Sequence, residues 1–219
     1  MKKILAFRGS PRKKGNSTLM LDSFIKGINN ELYELEIIDP YKININYCLG
    51  CLKCNVTKKC IQKNDDWDEL SQKLLDADII VFASPVYFHH FPAALKLILD
   101  RFRSFVKITM IKDGLIHIPW QEWKKKFVLL LSMGTVEDVD AQPIIDLFEY
   151  LREILGKENT VDVIKAKRVA LAQQIAFPED VLKRLYPKLD LNEDLAEEDF
   201  VRNKENLDKC FNLAKNLTK

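Results

Sequence analysis

IIVFASPVYFHHFP, residues 79 to 92, decides how the rest of the chain is read. Ile79-Ile80-Val81-Phe82-Ala83 is apolar without a break. A strand with one wet face alternates apolar and polar residues. An unbroken β-branched and aromatic run predicts a strand covered on both faces, as in a parallel sheet. Ser84-Pro85 ends the run, and Pro92 predicts a helix from there to Phe105, because the first helical turn does not need the missing N–H.

The flanking segments repeat the pattern. Ile4 to Phe7 reads as a strand, and Ser17 to Asn30 as a helix with Leu19, Met20, Phe24 and Ile28 at helical spacing. Leu32 to Asp39 alternates, so one of its faces is less buried. Asp66 to Asp76 is a helix in which Asp66 and Glu69 have the spacing of a capping box. Phe127 to Leu131 is a second fully buried strand, Ala141 to Leu155 a helix that stops at Gly156, and Val161 to Ile164 the fifth strand. Alternating strands and helices predict an α/β fold with a parallel sheet and helices on both faces. Pro178 to Leu189 and Glu197 to Leu217 add a C-terminal helical extension, spanning about residues 175–219. Val106 to Trp123 is the least regular stretch, either a cap over a site or an exposed connection. No repeat or linker divides residues 1–219, so a single domain is expected, with its core at about 2–165.

Apolar residues make up 47% and charged residues 30%, as in an ordinary globular protein, and the net charge is only +2. That balance predicts neither nucleic acid nor an anionic membrane as partner. The basic runs Arg12-Lys13-Lys14 and Lys124-Lys125-Lys126 read as solvated surface. No apolar stretch approaches a membrane span, and the run Ile4 to Phe7 is too short for a secretory signal. A cytoplasmic location is expected, where cysteines more often serve metals or redox chemistry than disulfides.

In open parallel sheets, ligands bind at the carboxyl ends of the strands. The loop after the first strand is GSPRKKGNST, Gly9 to Thr18. It is neither a Walker loop nor a dinucleotide fingerprint. Ser10, Asn16, Ser17 and Thr18 lead into a helix N-terminus, where free amides and partial positive charge suit a phosphate, and Arg12 adds a charged donor. The competing reading is a plain helix cap. After the third strand, Pro85, Val86, Tyr87 and Phe88 bring an apolar, aromatic surface to the same edge, which suits a flat ligand or simply lines the core.

Between the second strand and the next helix lies CLGCLKCNVTKKC, with Cys48, Cys51, Cys54 and Cys60 spaced two, two and five residues apart. Four thiolates on one short segment (residues 47–61) suit a [4Fe-4S] cubane, with the longer spacer letting Cys60 close the same cluster. Structural zinc and free or regulatory thiols are the rival readings. Cys210, among Leu207, Phe211 and Leu213, reads as a small buried hydrophobe.

GSPRKKGNST, and SPVYF followed by LKLILDRF (Leu95 to Phe102), resemble the NAD(P)H-dependent FMN reductase family of flavodoxin-like proteins. The cysteine run before the second helix resembles that of its iron–sulfur flavoprotein branch. The resemblance implies a flavodoxin-like three-layer sandwich with strand order 2-1-3-4-5. It implies FMN, with Ser10, Arg12, Asn16, Ser17 and Thr18 at the phosphate and ribityl end and Pro85, Val86, Tyr87 and Phe88 along the ring. Ser132, Met133, Gly134 and Thr135, after the fourth strand, would close over the ring's other edge. His89 and His90 depart from the family's small residue at that place, and the Ser132 loop lacks its glycine-rich run.

FMN exchanges electrons in pairs or singly, and a cluster exchanges them singly. The cofactors would carry the chemistry, so no general acid or base is assigned. His89, His90 and Tyr87 are candidates for proton delivery by position alone. The expected protein is an oxidoreductase that takes electrons from a ferredoxin-like donor, or from NAD(P)H bound transiently over the flavin. It would pass them to small-molecule acceptors as a homodimer or homotetramer, since family members place the cluster near a neighbouring subunit's flavin. The alternatives are an NAD(P)H-dependent FMN or quinone reductase without a cluster, and a non-enzymatic flavin- or metal-binding regulator.

Overall fold

A computed structural model describes residues 1–219. Five strands form one parallel sheet: β1 (Lys2–Arg8), β2 (Tyr33–Ile38), β3 (Ile79–Pro85), β6 (Lys126–Ser132) and β7 (Thr160–Ala166). Their order is β2-β1-β3-β6-β7, which is 2-1-3-4-5 when only the strands of this sheet are counted. Two strands outside the sheet, β4 (Val106–Ile111) and β5 (Gly114–Pro119), account for the shift in labels. They pair antiparallel as a hairpin, so the stretch of least regular sequence is ordered. Its apolar alternation faces solvent, with Met110, Ile111, Leu115, Ile116 and Ile118 all exposed.

The double burial of the central strands follows from their composition. Leu5, Phe7, Ile80, Phe82, Phe127 and Leu129 point to one face, where α3 (Trp67–Asp76), α4 (Ala93–Arg101) and α5 (Gln142–Leu155) pack. Ile4, Ala6, Ile79, Val81, Val128 and Leu130 point to the other, under α1 (Asn16–Lys26) and α7 (Leu195–Leu217). Phe7 and Phe82 stack with centroids 4.8 Å apart, and Phe148 meets Phe82 edge-on at 4.9 Å. Each such side chain contributes roughly 1.5–3 kcal/mol of transfer free energy.

In the extension, α7 covers the chain's own α1, and α6 (Glu179–Leu185) packs against α7. Ser23 donates to Leu207 O at 2.7 Å, and a Cβ on Gly27 would stand 2.2 Å from Phe211 O, so glycine permits the close crossing. No helix is long and apolar enough to cross a membrane.

Two local readings change. Asp66 does not close a capping box: its carboxylate accepts from Asn44 N at 2.7 Å, and Asp65 Oδ1 accepts from Trp67 N instead. Lys125 is not solvated surface. It is buried, with Nζ donating to Leu75 O and Ala77 O at 2.7 and 2.6 Å, at the carbonyl end of α3.

Burial pushes the Lys125 amine from 10.5 down to about 8. Between those values the unfolded chain holds a proton there that the folded chain lacks, so this group's contribution to stability rises with pH. Wild type should gain stability relative to Lys125→Met from pH 7.5 to pH 10, measured by urea unfolding of both proteins. A constant difference across that range would contradict the assignment.

Candidate functional site

The carboxyl ends of β1, β3 and β6 open into one cleft. Its walls include Ser10, Arg12, Gly15, Asn16, Pro85, Val86, Tyr87, Ser132, Met133 and Gly134. At one end stands the N-terminus of α1. The first i→i−4 bond runs from Leu19 N to Gly15 O, so the amides of Asn16, Ser17 and Thr18 precede the helical ladder. No acidic side chain occupies this first turn and no side chain caps it. The plain-cap reading therefore fails. Ser17 does not itself line the cleft: it is buried next to Asn16, and its Oγ has no hydrogen-bond partner. A buried hydroxyl without a partner costs about 1–3 kcal/mol, and here it lies at a positive helix end, where an anion would supply the partner. Gly15 belongs to this cradle, since a Cβ there would come within 2.5 Å of Ser10 Oγ.

Asn16 and Arg12 serve another purpose with their side chains. Asn16 Nδ2 donates to Val169 O and Leu171 O at 2.9 and 2.8 Å, and its Oδ1 accepts from Ile175 N. Arg12 Nη1 donates to Ala170 O at 2.9 Å. Both hold the segment after β7 against the cleft, where Val169 and Ala170 complete the wall. Sequence reasoning missed Gly15, Val169 and Ala170. The last two follow a strand whose loop carries no glycine run or hydroxyl cluster. Thr18 donates weakly to Arg12 O at 3.4 Å and lies behind the wall.

At the β3 and β6 end of the cleft, Val86 N donates to Ser132 O, joining the two loops. Tyr87 and His90 exchange backbone hydrogen bonds around Phe88 and His89, which both have left-handed φ (48° and 62°). That tight reversal presents Tyr87 to the cleft and throws Phe88 fully into solvent. His89 turns to Asp140, 3.1 Å away, while His90 Nδ1 accepts from Phe91 N, and burial lowers the His90 pKa. Of the three candidates for proton delivery, Tyr87 alone lines the cleft. Thr135 stands outside it, accepting from Glu137 N through its hydroxyl.

Cys48, Cys51, Cys54 and Cys60 line a separate cavity, with Leu49, Leu52 and Ile61 among its apolar walls. The loop that carries them is closed at its base. Asn46 N donates to Asp65 Oδ2 at 3.1 Å and Gln62 Nε2 to Tyr47 O at 2.9 Å. It turns through left-handed positions at Gly50, Leu52 and Lys58, and Asn55 on the short helix α2 (Cys54–Thr57) bonds both backbone groups of Ile108 on β4. The cysteines are all free thiols, and no three His, Cys, Asp or Glu side chains are grouped as around a single metal ion. Zinc thiolates, with bonds near 2.3 Å, would need sulfurs roughly 3.8 Å apart. A cubane spaces its ligands more widely, and four cysteines around one cavity fit that larger anion in kind and number. Another groove, between Lys3, Glu36, Lys73 and Asp76, lies along the β1 and α3 flank and is laced by ion pairs.

The family described as NADPH-dependent FMN reductase matches residues 2–173. The chain belongs to this family. An iron–sulfur flavoprotein of Archaeoglobus fulgidus is 39% identical over 99 residues, 45% of this chain and 44% of that protein. Another, of Methanocaldococcus jannaschii, is 40% identical over 101 residues, 46% of this chain and 52% of its own. The chain thus spans about half the length of these curated relatives. Among solved structures, an FMN-dependent NADH-azoreductase from Bacillus anthracis in complex with FMN superposes with a TM-score of 0.63 at 14% identity, covering 100% of both chains. An NAD(P)H:quinone oxidoreductase from Methanothermobacter marburgensis gives 0.60 at 17% identity, over 99% of this chain and 98% of that one. At such identities the likeness is one of fold.

The thiols divide by environment. Burial raises the Cys54 thiol, partly offset by Arg103, and pushes Cys210 up to about 12, while Cys51 is exposed. The thiolate is the nucleophile. In metal-free protein at pH 8, iodoacetamide should alkylate Cys51 first, Cys54 later and Cys210 last, as read by peptide mass spectrometry. Cys210 reacting as fast as Cys51 would place α7 away from α1.

Proposed function

We propose that the cleft holds FMN and the cysteine cavity a [4Fe-4S] cluster, so that the protein is an electron-transferring oxidoreductase of the iron–sulfur flavoprotein type. The observation that carries this reading is the gathering of all four loop cysteines around one cavity, in a fold whose separate cleft ends at a helix N-terminus without a side-chain cap. When bound, FMN supplies two-electron or one-electron exchange and the cluster supplies one-electron exchange. The chain binds and orients them. Ser17 Oγ and the first amides of α1 take the phosphate. Ser10 lies beside it, and Tyr87, Val86 and Met133 border the flavin ring.

Electrons would come from a ferredoxin-like donor or from NAD(P)H and leave to a small acceptor. No dinucleotide fingerprint is present, so a nicotinamide would bind transiently over the flavin. The second reading is an FMN or quinone reductase without a cluster, in which the four cysteines stay free thiols. Metal and sulfide analysis of anaerobically purified protein separates the two.

We place self-association on a surface different from the C-terminal helix. Leu207 and Leu213 pack against the chain's own core. Several apolar side chains of the β4–β5 hairpin are exposed, and so are Tyr47, Leu49, Leu52 and Val56 of the cysteine loop. A second copy covering both would bring another redox centre toward the cysteines. Light scattering at micromolar concentration should give a dimer or tetramer, and Ile116→Lys should shift it toward monomer. A wild-type monomer would contradict this.

Ser17→Glu puts a carboxylate where the phosphate should sit and should weaken FMN binding at least tenfold by fluorescence titration. Unchanged affinity would show that the phosphate lies elsewhere. Cys60→Ala should fold and keep FMN, because no proposed flavin contact lies in the cysteine loop. It should lose most iron and acid-labile sulfide, and a full cluster in this variant would remove Cys60 from the ligand set.

A further inference from the structure

One wall of the cysteine cavity is basic. Arg101, at the end of α4, is only 1% exposed and lines the cavity. Its Nη1 donates to Asp65 Oδ2 at 2.5 Å and to Asn46 O at 2.8 Å. Trp67 covers the flat face, its ring centroid 5.0 Å from the guanidinium carbon. Nε and Nη2 are buried without any partner. Three of the five guanidinium N–H donors are therefore unmatched on a residue that faces four cysteines. Arg103 lines the same cavity; its Nη atoms hold Val106 O and Asn55 Oδ1 at 2.8 Å, and its buried Nε is also unpartnered. No carboxylate lines this cavity.

Buried donors normally find acceptors, and a buried cation normally finds enough negative charge. Asp65 answers Arg101 with one edge only. The remaining donors suit an anion with several acceptor atoms. We propose that Arg101, supported by Arg103, is a positioning and potential-setting residue for the cysteine-held cluster, donating hydrogen bonds to its sulfur atoms. This rests on the reading of the four cysteines as cluster ligands. One electron arriving from a ferredoxin-like donor adds one negative charge to an already anionic group. Guanidinium donors favour that reduced form, so they raise the cluster's potential and retain it in the cavity.

The test uses anaerobically purified holoprotein and an EPR-monitored redox titration. Arg101→Lys keeps the charge and the pairing with Asp65 but lacks the Nε and Nη2 donors. At the wild-type cluster midpoint, its ratio of reduced to oxidised cluster should fall about tenfold, a shift of about 59 mV to lower potential for a one-electron couple. Arg103→Gln should shift in the same direction and carries the test if Arg101→Lys does not fold. The FMN midpoint, titrated in the same samples, should not move. Loss of the cluster from a variant that keeps wild-type FMN content and melting temperature also supports the proposal. Full iron content with an unmoved cluster potential in Arg101→Lys, or in Arg103→Gln if it alone folds, overturns it and leaves the cluster reading standing. Wild-type protein without iron and sulfide overturns both.

Discussion

Burying β3 on both faces constrains everything around it. A strand with no wet face needs helices above and below, and parallel neighbours need crossovers that return the chain to the same sheet edge. The ladder of β1, β3 and β6 supplies this, with Ile4, Ile79 and Lys126 in register at one end and Arg8, Ala83 and Leu130 near the other. Once Phe7, Phe82, Phe127 and Phe148 are packed together, the loops after β1, β3 and β6 converge at the carboxyl edge. The cleft is a consequence of that core, and the loops have only to supply its chemistry.

The cleft's remaining wall depends on parts distant in sequence. The segment after β7 has no regular structure until Gln174, yet it is held from both sides. Asn16 and Arg12 bind it from α1 and the first loop, and Gln174 closes it internally through Arg168 O and Leu171 N. The C-terminal extension braces it from outside. Asp199, fully buried, accepts from Tyr186 OH at 2.5 Å and pairs with Arg168 and Arg202, and Arg202 reaches Lys167 O. Breaking one partner of such a buried set leaves an uncompensated charge, which typically costs about 3–5 kcal/mol. The extension thus does for the cleft what the loops alone do not.

Much of this was legible in the chain. Unbroken apolar runs reported the parallel sheet, because only strands covered on both faces tolerate them, and hydroxyls before an amphipathic stretch reported the helix N-terminus. Side-chain direction was not legible. Asn16 reads as a donor to a ligand, but its amide is engaged by carbonyls more than 150 residues away, and no local pattern encodes such a partner. Lys125 sits in a basic run that looks solvated, yet the end of α3 draws it inward. Arg101 reads as one more charge at the end of a helix. Its isolation with Asp65 and the cysteines appears only when the loop base closes. The hairpin was missed because its alternation is apolar toward solvent, the reverse of what a lone hairpin should show.

The central claim is that one small fold holds a flavin and a cluster in separate seats built by different loops. The absorption spectrum of protein purified without oxygen, combined with iron, sulfide and flavin stoichiometry, tests it most directly. The account predicts flavin bands on a broad brown iron–sulfur background, with about four iron atoms and four sulfides per FMN. Flavin bands alone, with negligible iron or with a single zinc, would contradict it.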